Sequence, residues 1–188
     1  NVHPGSGKDI MVNAAAVCCE FNSMLPPCEC PRMTEGYEGF FHLTDMKGDV
    51  GSAEMRYIIR DHDRAKFEAR KQLMSDIAAE LNEKYGEGTV ALTVKDTYYN
   101  MSEILKDHMH LIETAKKAIE QEGLVPHIAP VRGGTDGASL SFRGLPCPNL
   151  GTGGSAFHGP YEHISLEGMR SSVNIMRNIV ELYADKSR

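Results

Sequence analysis

Between Ile128 and Gly168 the chain gathers the groups best suited to holding a ligand. Arg132 opens the run Arg132-Gly133-Gly134-Thr135-Asp136-Gly137, and Gly151-Thr152-Gly153-Gly154-Ser155 is followed closely by Phe157-His158-Gly159. Glycine tolerates positive φ and lets a ligand come close to main-chain N–H groups. Val131 closes an apolar segment that reads as a buried strand. Residues 145–150 read as the next strand, kept short by Pro146 and Pro148. Glycine loops leaving consecutive strands would present polar groups at one end of a sheet, where open α/β sheets bind ligands. Asp136 reads as the cap of a short helix over 138–142. The same residue types also suit ordinary tight turns, with a solvated Arg132 and a surface His158.

Stepping along the chain, the hydrophobic period changes several times. His3-Pro4-Gly5 sits on a polar turn, and residues 9–25 carry Ile10, Val12, Val17, Phe21 and Leu25 at helical spacing before Pro26-Pro27 stops them. Residues 37–46 and 50–61 flank Lys47-Gly48-Asp49, a hairpin turn signal. Residues 63–85 predict a helix capped by Asp61 or Asp63 and stopped at Gly86, with Phe67, Leu73, Met74, Ile77, Ala78 and Leu81 inward. Residues 89–99 alternate and are rich in β-branched and aromatic side chains, which predicts a strand. Asn100 then suits a turn. Helices are expected over 107–122 and over 166–183. In the latter, Leu166, Met169, Val173, Met176, Val180 and Tyr183 line one face. Residues 1–105 therefore read α-β-β-α-β.

Composition excludes several classes. The 188 residues are 41% hydrophobic and 24% charged with a net charge of −6, a globular balance without the basic face that nucleic acid needs. No apolar run reaches the roughly 20 residues of a membrane span. Cys18, Cys19, Cys28, Cys30 and Cys147 form no disulfide framework and predict reduced thiols, hence a cytoplasmic protein. A chain that starts at Asn1 is expected to be cut from something longer.

The glycine loops, together with Val2-His3-Pro4-Gly5, Met33-Thr34-Glu35-Gly36-Tyr37-Glu38-Gly39, Tyr57-Ile58-Ile59-Arg60-Asp61, Tyr98-Tyr99-Asn100-Met101 and Ser165-Leu166-Glu167-Gly168-Met169, resemble the tripeptide aminopeptidases of the M20 family of di-zinc metallopeptidases. The resemblance runs essentially end to end. It implies an α/β protein in which residues 1–105 form an α+β, ferredoxin-like lid or dimerisation domain whose first strand, expected just before Asn1, is missing. Residues 106–188 would be the C-terminal part of the zinc-peptidase domain. By the same resemblance His3 stabilises an oxyanion, and Arg132 binds the peptide's terminal carboxylate. Asn100, Gly153 and Gly154 would contact substrate, and His158 would be a zinc ligand. The family's other ligands are absent: no His-x-Asp-Thr and no Glu-Glu pair occurs. The implied parent uses two zinc ions per site, cleaves tripeptides from the N-terminus and pairs as a homodimer through the lid. The chain alone is expected to be inactive. The rival readings are an M20-type amidohydrolase or deacylase and a pure dimerisation module.

Overall fold

The computed structural model describes residues 2–186; Asn1 lies outside the described residues, as do Ser187 and Arg188 of the tail Lys186-Ser187-Arg188 that is expected to fray, whereas Lys186 ends the last helix. The architecture is α+β, with helices and small antiparallel sheets. Two compact units are present: residues 1–97 with 130–133, and residues 98–129 with 134–188.

In the first unit, helix α1 (Ala14–Met24) begins later than the periodicity predicts. Asp9 has a φ of 63°, a left-handed conformation that no right-handed helix can pass through. The helix starts where its orphan N–H groups find acceptors. Asn13 accepts from Ala16 N at 3.2 Å, while the carbonyls of Val50 and Asp49 take Ala14 N and Ala15 N. Strands β1 (Phe40–Gly48) and β2 (Ala53–Arg60) pair antiparallel from Phe40↔Arg60 to Gly48↔Ala53. The register slips at Thr44, whose hydroxyl donates to Arg56 O at 3.0 Å. The turn begins two residues later than Lys47-Gly48-Asp49 and spans residues 49–52. Asp49 Oδ1 accepts from Gly51 N and Ser52 N, so the side chain organises the loop.

Helix α2 (Arg64–Tyr85) follows its sequence signals closely. Asp63 accepts from Lys66 N at 2.8 Å and Gly86 ends it at a φ of 104°. Val17, Phe21 and Leu25 meet Phe41 of the hairpin and Met74, Ile77, Ala78 and Leu81 of α2 in one buried cluster. That burial, rather than propensity, makes the two helices persist.

The predicted strand over 89–99 is a correction: among the described residues it joins no ladder. A strand exists only as one side of a ladder, and here side chains substitute for a partner. Asn82 both donates to Val90 O at 2.9 Å and accepts from Val90 N at 2.8 Å. Lys71 reaches both Asp96 oxygens at 3.0 Å.

The second unit holds a short helix α3 (Ser102–Leu105), then α4 (Met109–Gln121), α5 (Asp136–Phe142), the two-residue strands β3 (Gly154–Ser155) and β4 (His163–Ile164), and α6 (Leu166–Lys186). Helices α4 and α6 pack through Ala118, Thr114 and Ile175, and Asn178 donates to Ala118 O at 3.2 Å. Of the six residues expected along one apolar face of α6, Leu166, Met169, Val173, Met176 and Val180 are outward, from 51% to 68% exposed, and Tyr183 is half-buried. The helix buries the neighbouring stripe that carries Ile175, so its apolar heptad faces solvent. The expected strands ending at Val131 and spanning 145–150 also join no ladder among the described residues, and Val125 is 90% exposed. Periodicity identifies a surface meant for burial, but only a partner element buries it.

Candidate functional site

Each loop residue singled out by type has a definite local setting. His3 is exposed in the turn before a 3-10 segment, Pro4–Ser6, and its Nδ1 accepts from Gly5 N at 3.1 Å. The Nδ1 lone pair is thereby spent, which leaves Nε2 as the outward nitrogen.

Arg132 lies in the first unit, half-buried. Its Nη1 donates to Thr34 O, and its Nη2 donates to Thr34 Oγ1 at 2.7 Å and to Glu38 O at 3.1 Å. The Phe40 ring lies beneath the guanidinium, 5.1 Å from its central carbon. The Nη1–Nη2 edge, the natural fork for a carboxylate, is therefore turned toward Thr34. Nε is buried without a hydrogen-bond partner. Every acceptor on this arginine is a neutral oxygen, and no acid pairs with it among the described residues. Nearby, His62 Nε2 lies 3.2 Å from Val131 O, and the Tyr37 ring meets the His62 ring edge-on at 5.0 Å. The roles of Thr34 and Phe40 were not legible from residue types, although both sit in or beside the Met33-to-Gly39 motif.

The glycines of this motif mostly pack rather than cradle. A Cβ on Gly134 would sit 2.3 Å from Tyr98 Oη, and one on Gly137 would sit 2.5 Å from Cys147 O. Thr135, not Asp136, caps α5, accepting from Ala138 N at 3.2 Å. Asp136 falls one position inside, where its charge suits the helix N-terminus. The reason is stereochemical: the cap needs extended backbone, and Thr135 has a φ of −136° and ψ of 156°.

In the second unit, Asn100 Oδ1 accepts from Ser102 N at 3.0 Å, a turn role at the start of α3. Gly153 has a φ of 79° and abuts Gly168 in the first turn of α6, while Gly154 pairs with Ile164 and donates its N–H to Thr152 Oγ1 at 3.3 Å. His158 is exposed at the tip between β3 and β4, with a φ of 64°; Ala156 is left-handed as well, at 56°. Its backbone N–H donates to Glu162 Oε2 at 3.0 Å. Such conformations are uncommon outside glycine and concentrate where function constrains a loop. Among the described residues no group of three or more His, Cys, Asp or Glu side chains converges to hold a metal. An apolar cleft of about 120 Å³ lies between Ile119, Leu150, Ile175 and Met176, flanked by Thr152 and Ser172.

A helix–hairpin–helix unit followed by glycine-loop segments defines a class. Residues 1–89 match the family model described as a peptidase dimerisation domain, that of the M20 peptidases. Its relatives narrow the comparison. It is 54% identical over 186 residues to a protein of Clostridium perfringens named Peptidase T, and 52% identical to one from Halothermothrix orenii. Each match covers 99% of this chain and 46% of the relative, so the chain spans about half the length of the curated relatives it matches. Solved structures share the fold. An aminopeptidase PepT from Bacillus cereus superposes with a TM-score of 0.64 at 20% identity, over 96% of this chain and 48% of that one. A tripeptidase from Staphylococcus aureus gives 0.66 at 16% identity, over 98% and 48%.

Proposed function

We propose that this chain is the segment of a tripeptide aminopeptidase that contributes the dimerisation lid, residues 1–105, and the C-terminal end of the catalytic domain, residues 106–188. The observation that carries this reading is 54% identity across 99% of the chain to a protein named Peptidase T. The exposed apolar heptad of α6 and the unpaired extended segments fit it, because they are surfaces that another part of a larger fold would bury.

In this reading the parent releases the N-terminal residue of a tripeptide in the cytoplasm, as a homodimer joined through the lid, and uses a pair of zinc ions. The residues present here do not by themselves fit a zinc centre. His158 is one imidazole on an exposed loop, and a site needs at least three protein ligands. What the chain supplies is positioning. His3 offers an outward Nε2 to the carbonyl oxygen on which charge develops. Arg132 offers a cation to the peptide's C-terminal carboxylate. Gly153, Gly154 and Asn100 would contact the peptide backbone. A tripeptidase needs both peptide ends read, and Arg132 would read one of them.

The test replaces the matching segment of the Clostridium perfringens relative with residues 1–188 and compares a tripeptide, its C-terminal amide and an N-acyl amino acid as substrates. Wild type should prefer the free tripeptide, and the chain alone should be inactive. Arg132→Ala should lose most of the acid-over-amide preference, with kcat/KM on the free acid falling by a factor on the order of 30 or more. Preference for the N-acyl amino acid would favour the deacylase reading instead. An unchanged acid-to-amide ratio in Arg132→Ala would remove the anchoring role.

A further inference from the structure

Arg132 is held in an unusual way for a half-buried cation. Three of its N–H groups are satisfied, by Thr34 O, Thr34 Oγ1 and Glu38 O, and its plane rests on Phe40. None of these partners carries charge. Neutral dipoles orient a guanidinium without neutralising it, so its positive charge stays available to an incoming anion. The Thr34 hydroxyl is itself fixed, since it donates to Cys30 O at 2.9 Å and can therefore only accept from Arg132. The loop beneath is closed on itself by Glu35 N donating to Glu38 Oε2 at 2.9 Å and Glu38 N donating to Glu35 O at 3.0 Å. Acceptor direction is thus set before any ligand arrives.

We propose that Thr34 is the positioning residue for Arg132: the chain Arg132 to Thr34 hydroxyl to Cys30 carbonyl fixes the guanidinium in place, so that its unneutralised charge, rather than its occupied Nη1–Nη2 fork, attracts a peptide carboxylate. This deepens the peptidase reading and rests on it. Nε is buried without an acceptor among the described residues, so no anion of the chain neutralises the guanidinium from that side either.

The experiment uses the same grafted full-length enzyme with Thr34→Val, which keeps the shape and removes the hydroxyl, and Thr34→Ser, which keeps the hydroxyl. Thr34→Val should raise KM for the free tripeptide about tenfold, the loss expected of one hydrogen bond to a charged group, with far less effect on the C-terminal amide. Thr34→Ser should restore the acid-over-amide preference. In the Arg132→Ala background, Thr34→Val should have no further effect on that preference. A readout independent of activity comes from the 188-residue chain itself. The Arg132 guanidinium proton signals, slowed by their three acceptors, should broaden into solvent exchange in Thr34→Val and return in Thr34→Ser. If Arg132→Ala abolishes the preference while Thr34→Val leaves it and the guanidinium signals unchanged, the positioning role is overturned and the anchor survives. If Arg132→Ala leaves the preference intact, the anchor reading itself fails.

Discussion

Asp61 and Arg70 form the buried ion pair on which the end of the hairpin depends, and Asp61→Ala is its most informative perturbation. The Asp61 side chain is 2% exposed and that of Arg70 is 13% exposed, with Nε 2.9 Å from Oδ2. Asp61 Oδ1 also accepts from Asp63 N at 2.9 Å, beside the cap of α2. Arg70 continues to Glu29 Oε2 and packs over the Phe41 ring at 5.1 Å. Gly39 must be glycine for the same reason: a Cβ there would lie 2.2 Å from Asp61 Oδ2. Breaking a buried pair from one side costs about 3–5 kcal/mol, because a charge is left without its counter-ion. Glu29, 41% exposed, remains as a partial partner, so the lower end, about 3 kcal/mol, is expected. For a unit of this size each kcal/mol moves the midpoint by about 4–8 °C, giving a fall on the order of 10–25 °C in a thermal melt followed by circular dichroism. Adding Arg70→Met to Asp61→Ala should recover a substantial part of the loss, since it removes the stranded cation. A cost below about 1 kcal/mol, or a double variant that merely sums the two single losses, would refute the argument.

Further outcomes follow from local geometry. Burial pushes the Tyr57 phenol up to about 12 from its ordinary 10.0, with Cys18 adding to the rise, while its hydroxyl donates to Asn22 Oδ1 at 2.8 Å. The folded state therefore favours the neutral phenol, so its contribution is fully present below the unfolded value and is lost as pH climbs through about 12. Screening at this half-exposed site limits the effect to on the order of 1 kcal/mol. Denaturation above and below the unfolded phenol value should show it in wild type and not in Tyr57→Phe. Thr135→Ala removes the α5 cap and the acceptor of Asn149 Nδ2. It should cost about 1 kcal/mol, read in urea melts, whereas Asp136→Ala should cost less.

Local signals in the sequence determined the elements that need no partner to be recognised. The span of α2 is set by Asp63, Gly86 and an unbroken apolar period, all contained within the helix. The hairpin was legible for the same reason, and its turn shifted only because the Asp49 side chain prefers to close the loop itself. The site motifs were legible as motifs: Arg132, His158 and the glycine loops stand out by residue type and order. Their settings were not. That Thr34 and Phe40, 98 and 92 positions before Arg132 in the chain, orient its guanidinium is a long-range fact that no window contains. Nor does periodicity tell whether an extended segment finds a ladder. Residues 89–99 carry the pattern of a strand, yet Asn82 and Lys71 hold them instead. The same holds for α6, whose heptad announces an apolar seam while its packing on α4 uses the stripe beside it. A pattern fixes which surface is costly to leave in water; only the tertiary arrangement decides what, if anything, covers it.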